Sequence, residues 1–210
     1  MLKLSVTEVI FLELKNSETK LNLMRAFAGE SQARNRYNMA SSAAKSEGWH
    51  FIGKVFDFTA CQEQAHATVF YNFLKSENDT NFDFCASYPI NVYDSTQKLL
   101  EAAIHNEYEE YNDAYKAFAQ TAKQEGFNEI ANAFTMIGEI ERIHAERFEQ
   151  LSRMLEDGTI TKGNESQIWV CTNCGHIHTG PSSPAMCPVC SHSQGYFVAD
   201  SLKERTTILL

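Results

Sequence analysis

The sequence holds no apolar run approaching the ~20 residues that a membrane-crossing helix needs, so no membrane span is expected. It also lacks a basic excess: 18 Lys and Arg stand against 27 Asp and Glu, a net charge of −9. That excludes a general binder of nucleic acid or anionic lipid, which needs a net basic face. Proline is scarce, 4 in 210 residues, and Pro89 is the single one within 19–156, so that stretch is free to form long helices. Lys3, Glu8 and Glu13 punctuate the start, and no small-residue cleavage site follows; a secretory signal is not expected. The protein therefore reads as cytoplasmic, where disulfides are disfavoured. There are 6 cysteines, and four of them crowd into one short stretch. An apolar content of 43% is enough for a folded core.

Composition divides the chain near residue 160. Pro181, Pro184 and Pro188 lie beyond it, and from Ile168 onward Lys203 and Arg205 cancel Asp200 and Glu204. The whole negative charge therefore belongs to the first part. Asp157-Gly158 and Gly163-Asn164 mark a loop. The expected organisation is an N-terminal extension over 1–18, a helical bundle over 19–156, a linker over 157–167 and a small cysteine-bearing domain over 168–210.

Apolar or small residues recur at helical spacing in four segments of the bundle. They are Leu23, Phe27, Ala33 and Tyr37; Val55, Phe56, Thr59 and Phe70; Leu100, Ala103, Ile104 and Tyr111; and Ile130, Phe134, Ile137, Phe148 and Leu151. Gly48 and Gly126 separate the first from the second and the third from the fourth, which predicts two tight hairpins. The stretch 78–95 between them is long enough to cross the bundle. An internal repeat runs through this part: Ala44-Lys45-Ser46-Glu47-Gly48 aligns with Ala122-Lys123-Gln124-Glu125-Gly126 at an offset of 122 − 44 = 78. The same offset maps Tyr37 to Tyr115, Phe56 to Phe134, Glu63 to Glu141 and His66 to His144. Glu30, however, pairs with Glu107, one residue short of the offset. The third helix therefore carries one extra residue between Glu107 and Tyr115, an insertion commonly absorbed as a π-bulge at a functional site.

Glutamates on helices usually face water. Here Glu30, Glu63, Glu107 and Glu141 fall on the apolar stripes, with His66 and His144 three residues after Glu63 and Glu141, and Glu110 follows Glu107 by one turn. If those faces meet, five carboxylates and two imidazoles converge in one core. Unpartnered, they would cost more than a domain's total stability of ~5–15 kcal/mol. No stripe supplies enough Lys or Arg, Arg34 being the only near candidate. Two metal ions would compensate the charge. A Glu from each of two helices and Glu-x-x-His from the other two is the pattern of di-metal carboxylate bundles. Oxygen-rich ligation with some imidazole favours iron or manganese without excluding zinc.

Cys171-x-x-Cys174 and Cys187-x-x-Cys190 are separated by 187 − 174 − 1 = 12 residues. Paired knuckles of this kind hold one ion in four thiolates, zinc or iron. Trp169, Tyr196 and Phe197 are expected to form a small core around them, with His176, His178 and His192 exposed. Cys61 and Cys85 read as small packing residues.

These features together resemble the rubrerythrin family over roughly 19–205. The stretch Ala26-Phe27-Ala28-Gly29-Glu30-Ser31-Gln32-Ala33-Arg34-Asn35-Arg36-Tyr37, the two Glu-x-x-His pairs, Glu107-x-x-Glu110 and the short-spaced four-cysteine tail carry the resemblance. Residues 1–14 extend beyond the usual family beginning. The resemblance implies a mainly α fold, a ferritin-like four-helix bundle followed by a rubredoxin-like domain. It implies a non-haem di-iron peroxidase that reduces hydrogen peroxide to water in oxidative-stress defence. Glu63 and Glu141 would bridge two irons, Glu30 would bind the first, and Glu107 with His144 the second. The first iron would exchange Glu110, when oxidised, for His66, when reduced. Tyr37 and Tyr115 would hydrogen-bond the carboxylate shell. A third iron in the four cysteines, replaceable by zinc in recombinant protein, would relay electrons from an external NAD(P)H-dependent reductase or rubredoxin, since no nucleotide-binding loop is present. A head-to-tail homodimer is implied. The alternative is a ferroxidase or iron-handling protein of the ferritin-like class, against which the four-cysteine module argues, because an iron store needs no such relay.

Overall fold

Two helical hairpins related by the 78-residue repeat make up most of the chain. The structure is a computed structural model and describes residues 12–202. Most of the expected N-terminal extension, including Val9, Ile10 and Phe11, and the charged residues Lys203, Glu204 and Arg205 lie outside the described residues. The first hairpin pairs α1 (Glu18–Ser46) with α2 (His50–Phe73). The second pairs a helix in three parts with α5 (Asn128–Glu156). Its parts are α3 (Thr96–Glu109), a π segment (Glu110–Ala114) and α4 (Tyr115–Gln124). The expected insertion between Glu107 and Tyr115 is that π segment, and Glu110 is its first residue.

Each hairpin turns on a glycine at positive φ, Gly48 at 91° and Gly126 at 88°. A left-handed residue there lets Trp49 N–H reach back to Ala44 O and Phe127 N–H to Ala122 O, both at 2.8 Å. The glutamate before each glycine then reaches across to the other hairpin. Glu47 accepts hydrogen bonds from the Thr96 amide (2.6 Å) and hydroxyl, capping α3. Glu125 accepts from the amides of Glu18 (3.0 Å) and Thr19 (2.8 Å) and from the Thr19 hydroxyl, capping α1. Free N–H groups at a helix start favour an anionic acceptor. The repeat thus ties the hairpins together reciprocally at both ends of the bundle. Residues 78–95 cross between α2 and α3 without regular structure, held by Tyr88 OH to Arg25 O (2.8 Å) and Asn106 Nδ2 to Asn91 Oδ1 (2.8 Å).

The bundle core has two aromatic clusters. Tyr37, Phe56 and Phe148 pack with ring centroids 5.1–5.9 Å apart. Tyr115, Phe134 and Phe70 pack at 5.0–6.0 Å. The offset of 78 relates Tyr37 to Tyr115, Phe56 to Phe134 and Phe70 to Phe148, so one packing unit is used twice. The acidic stripe residues lie between the two.

The cysteine-bearing tail forms a three-stranded antiparallel sheet in the order β2 (Ile177–Thr179), β1 (Ile168–Cys171), β3 (Phe197–Ala199). Trp169 is fully buried and donates from Nε1 to Gly180 O (2.9 Å). Trp169, Phe197 and Val198 join one apolar cluster with Ile52, Val55, Leu151 and Ile160 of the bundle and loop. Tyr196 is half-buried and packs against that same cluster, while its ring also stacks on His50 of α2 (4.0 Å) with His192 against its edge (4.4 Å). His176, His178 and His192 are all half-buried, not exposed. Gly195 lies so close to the Gly48 carbonyl that no Cβ would fit. Cys61 and Cys85 are exposed and pack in no core.

Because Glu47 and Glu125 act at opposite ends of the bundle, their losses should add. Glu47→Ala and Glu125→Ala should each destabilise the metal-free protein by about 1 kcal/mol, the usual worth of a helix cap. Guanidinium denaturation measures this, and a loss below a few tenths would reduce both contacts to surface decoration.

Candidate metal centres

Four helices deliver the acidic residues to one buried layer. Glu30 comes from α1, Glu63 and His66 from α2, Glu107 from α3, and Glu141 and His144 from α5; all six are buried. They form two overlapping groups with ligand atoms within 4.8 Å of one another: Glu30, Glu63, His66 and Glu141, and Glu63, Glu107, Glu141 and His144. Glu63 and Glu141 belong to both, so the two groups share a wall. Glu110 belongs to neither. It is half-buried on the π segment, beside the first group, and lines a pocket of about 410 Å³ with Arg25, Gly29, Tyr88 and Tyr115.

The outer carboxylates are each held by a phenol from the aromatic clusters. Tyr115 OH donates to Glu30 Oε1 and Tyr37 OH donates to Glu107 Oε1. The second oxygen of each, Glu30 Oε2 and Glu107 Oε2, is buried with no hydrogen bond. Glu63 Oε1, both oxygens of Glu141 and both ring nitrogens of His144 are unpartnered as well. His144 Nδ1 lies 2.8 Å from Glu141 Oε2 and 3.2 Å from Glu63 Oε1, yet aligns as a hydrogen bond with neither. His66 Nδ1 is 2.9 Å from Glu141 Oε1 and 3.1 Å from Glu63 Oε2. Buried polar atoms are nearly always satisfied. Seven unpartnered atoms turned toward one interior space fit metal ligands, and the residues therefore suit two metal ions.

Electrostatics agrees. Burial, then the charge of Glu141, raises Glu30 well above the carboxylate range. Burial, then Glu63, pushes Glu107 up to about 8, and burial with Glu30 raises Glu110 well above its ordinary value. Burial opposes protonation of His66, but Glu141, Glu30 and Glu63 outweigh it and raise the imidazole. Glu63 is held low against its burial, chiefly by His144. Without metal, protons take the place of cations. Arg34, the only near candidate among the lysines and arginines of the stripes, is exposed. The cation actually buried is Arg147, on α5 one turn after His144. Charged residues are surface by default, so sequence gave it no mark beyond its spacing from His144.

The four cysteines also converge. Cys171 Sγ is 3.7 Å from Cys190 Sγ, and Cys174 Sγ is 3.7 Å from Cys187 Sγ. A disulfide would bring sulfurs to about 2.05 Å, whereas a tetrahedron with metal–sulfur bonds of about 2.3 Å has edges of about 3.8 Å. The knuckles turn at positive φ on Gly175 (76°) and Ser191 (59°). The His192 amide holds the Cys190 thiol down to about 6. The His176 amide pulls Cys174 down too, but burial and neighbouring thiols outweigh it and push that thiol up to about 12. Four sulfurs at this spacing fit one metal ion held by four thiolates.

The family model for rubrerythrin matches residues 22–152, and that for the rubredoxin-like domain of rubrerythrin matches 169–198. The rubrerythrin of Porphyromonas gingivalis is 44% identical over 88% of this chain and 90% of its own length. This chain belongs to the rubrerythrin family. As in that family, the carboxylate layer is a di-iron site and the four cysteines form a rubredoxin-like iron site. The structure of fully reduced, all-ferrous nigerythrin matches with a TM-score of 0.59 at 25% identity, covering 95% of this chain and 97% of that one. The bacterioferritin BfrA of Mycobacterium tuberculosis, at 19% identity and a TM-score of 0.55 over 66% of this chain and 86% of its own, shows the shared ferritin-like fold. Among the described residues no helix is long and apolar enough to cross a membrane.

The sign of the pH dependence follows from the shifts. Glu30, Glu107, Glu110, His66 and His144 all hold protons more tightly folded than unfolded. Their contribution to the metal-free fold is complete at low pH and is lost as pH rises through the folded values. Glu63 runs the other way, but only below its ordinary range. The metal-free protein should therefore melt several degrees lower at about pH 8.5 than at about pH 6, and iron loading should remove most of that slope. A flat melting profile for the metal-free protein would contradict this account.

Proposed function

We propose that this rubrerythrin-family oxidoreductase is a peroxidase that converts hydrogen peroxide, with two electrons and two protons, into two molecules of water. The supporting observation is that a paired-metal site and a four-thiolate site lie in one chain, with a half-buried carboxylate, Glu110, at the mouth of the first. Two adjacent ferrous ions supply two electrons together, the number that cleaving one O–O bond requires.

The residues around them do the rest. Glu63 and Glu141 span both groups; Glu30, and Glu107 with His144, complete the two ends. His66 belongs to the first group and Glu110 lies beside it on another helix; the two would serve that metal alternately, the carboxylate suiting the harder ferric ion and the imidazole the ferrous one. Released, Glu110 stands at the pocket with a raised proton affinity caused by burial and by Glu30. It is thus placed to hold a proton for a departing oxygen. Burial and the neighbouring carboxylates also keep the Tyr37 and Tyr115 phenols protonated. They orient Glu107 and Glu30 as donors and supply no proton.

Electrons enter through the four-cysteine site from an external reductase or rubredoxin. Cys174 is exposed, and Ile177, Met186 and Val189, each within three residues of one of the four cysteines, are each more than 60% exposed, apolar surface suited to a redox partner. Within one chain the tail packs against His50, and thirteen residues of α2 separate that point from Glu63, about 20 Å along the helix. We assign a head-to-tail homodimer, in which one subunit's tail would meet the other's bundle and shorten that route. Unbridged thiols fit a cytoplasmic setting.

Two variants separate the parts. Cys174→Ser should abolish reductase-driven turnover at least tenfold while the di-iron site stays loaded; full turnover would overturn the relay. His66→Ala should slow peroxide reduction much more than it lowers iron content, and an unchanged rate would overturn the ligand exchange. Stopped-flow kinetics with metal analysis reads both.

A further inference from the structure

Arg147 is the one lysine or arginine buried among the described residues, at 8% exposure. A buried guanidinium normally has a carboxylate against it. This one has neutral partners. Nη1 donates to Thr59 Oγ1 (3.2 Å) and to Gln62 Oε1 (3.1 Å), Nε is buried with no acceptor, and the guanidinium lies over the Phe58 ring at 5.4 Å. Those contacts fix its position relative to the metal layer. Thr59 is one helical turn before Glu63 on α2, and Gln62 is its neighbour. Arg147 itself is one turn after His144 on α5. The carboxylates that act on it most are Glu107, Glu63 and Glu141, all in the second metal group.

A charge held there without a direct counter-ion acts on whatever occupies the layer. The four carboxylates of the two groups would balance two ferrous ions, whereas two ferric ions, even with Glu110 added, would leave one positive charge over. An adjacent fixed cation therefore disfavours the ferric pair more than the ferrous pair, and the low local dielectric makes the difference felt. We propose that Arg147 is a positioning residue in the electrostatic sense: a fixed buried cation that biases the di-iron site toward its reduced state. It acts through the space between α2 and α5 without touching a reacting atom. The four-cysteine iron sits among its own thiolates in the tail, none of which is among the groups that act most on Arg147, and serves as an internal reference.

The test compares Arg147→Gln and Arg147→Lys with the parent in iron-loaded, full-length protein. Redox titration followed by electron paramagnetic resonance should show the di-iron midpoint of Arg147→Gln moved downward. A roughly tenfold gain in the ferric-over-ferrous preference corresponds to about 59 mV per one-electron step. Arg147→Lys should recover most of the shift, and the four-cysteine midpoint in the same samples should stay fixed. A second measurement has the opposite sign for a packing role. With the carboxylate site emptied and Mn(II) titrated in, Arg147→Gln should bind several-fold tighter than the parent, because a repelling charge has gone. A packing residue lost would weaken binding. An unmoved di-iron midpoint, weaker Mn(II) binding, or failure of Arg147→Gln to hold two irons would each overturn the proposal.

Discussion

Six acidic and imidazole side chains in one buried layer cannot be stable as a set of bare charges, and the rest of the fold is arranged around that fact. Burying one unpaired carboxylate already costs several kcal/mol. Glu30, Glu63, Glu107 and Glu141 are all buried, in a layer whose other members are two histidines. Protons offset part of the repulsion in the metal-free chain, which is why Glu107 and the imidazoles bind them so tightly. Metal ions offset it better, and the unpartnered oxygens and nitrogens face the space those ions would take. The aromatic clusters on either side follow from the same constraint. They hold Tyr37 and Tyr115, whose hydroxyls fix one oxygen of each outer carboxylate and leave the other free.

The proposed function divides the labour between the two metal sites. The carboxylate layer is suited to storing two electrons, the thiolate tetrahedron to passing one. The tail joins the bundle through a shared apolar cluster, the His50–Tyr196 stack and Lys54 Nζ to Thr172 O (2.6 Å). Close contact of Gly195 with Gly48 makes this junction intolerant of side chains. The hairpin glycine therefore serves twice, once in turning α1 into α2 and once as the floor on which the tail sits.

Much of this was legible in the sequence. The repeat paired Tyr37 with Tyr115 and Glu63-His66 with Glu141-His144, and the broken register at Glu107 marked the π segment in advance. Periodicity reports which face of a helix is apolar, and the ligands betray themselves by sitting on the wrong face. What periodicity does not report is contact between elements distant in the chain. The caps from Glu47 to Thr96 and Glu125 to Thr19 span 49 and 106 residues, and glutamates beside turns look like ordinary surface charge. Arg147 was invisible for the same reason, as was the stacking of Tyr196 on His50 of the bundle. Arg34 was the only near candidate for a counter-ion and Cys61 read as a small packing residue, while both sit on the solvent side.

The claim that the two iron sites act together in peroxide reduction can be tested in one experiment. Fully reduced protein would be mixed with stoichiometric hydrogen peroxide without oxygen, and the visible absorption of the oxidised four-cysteine iron followed in time. The red colour should return rapidly, much faster than with dissolved oxygen as oxidant. Slow return, or equal rates with peroxide and oxygen, would contradict it and favour iron oxidation as the chain's activity.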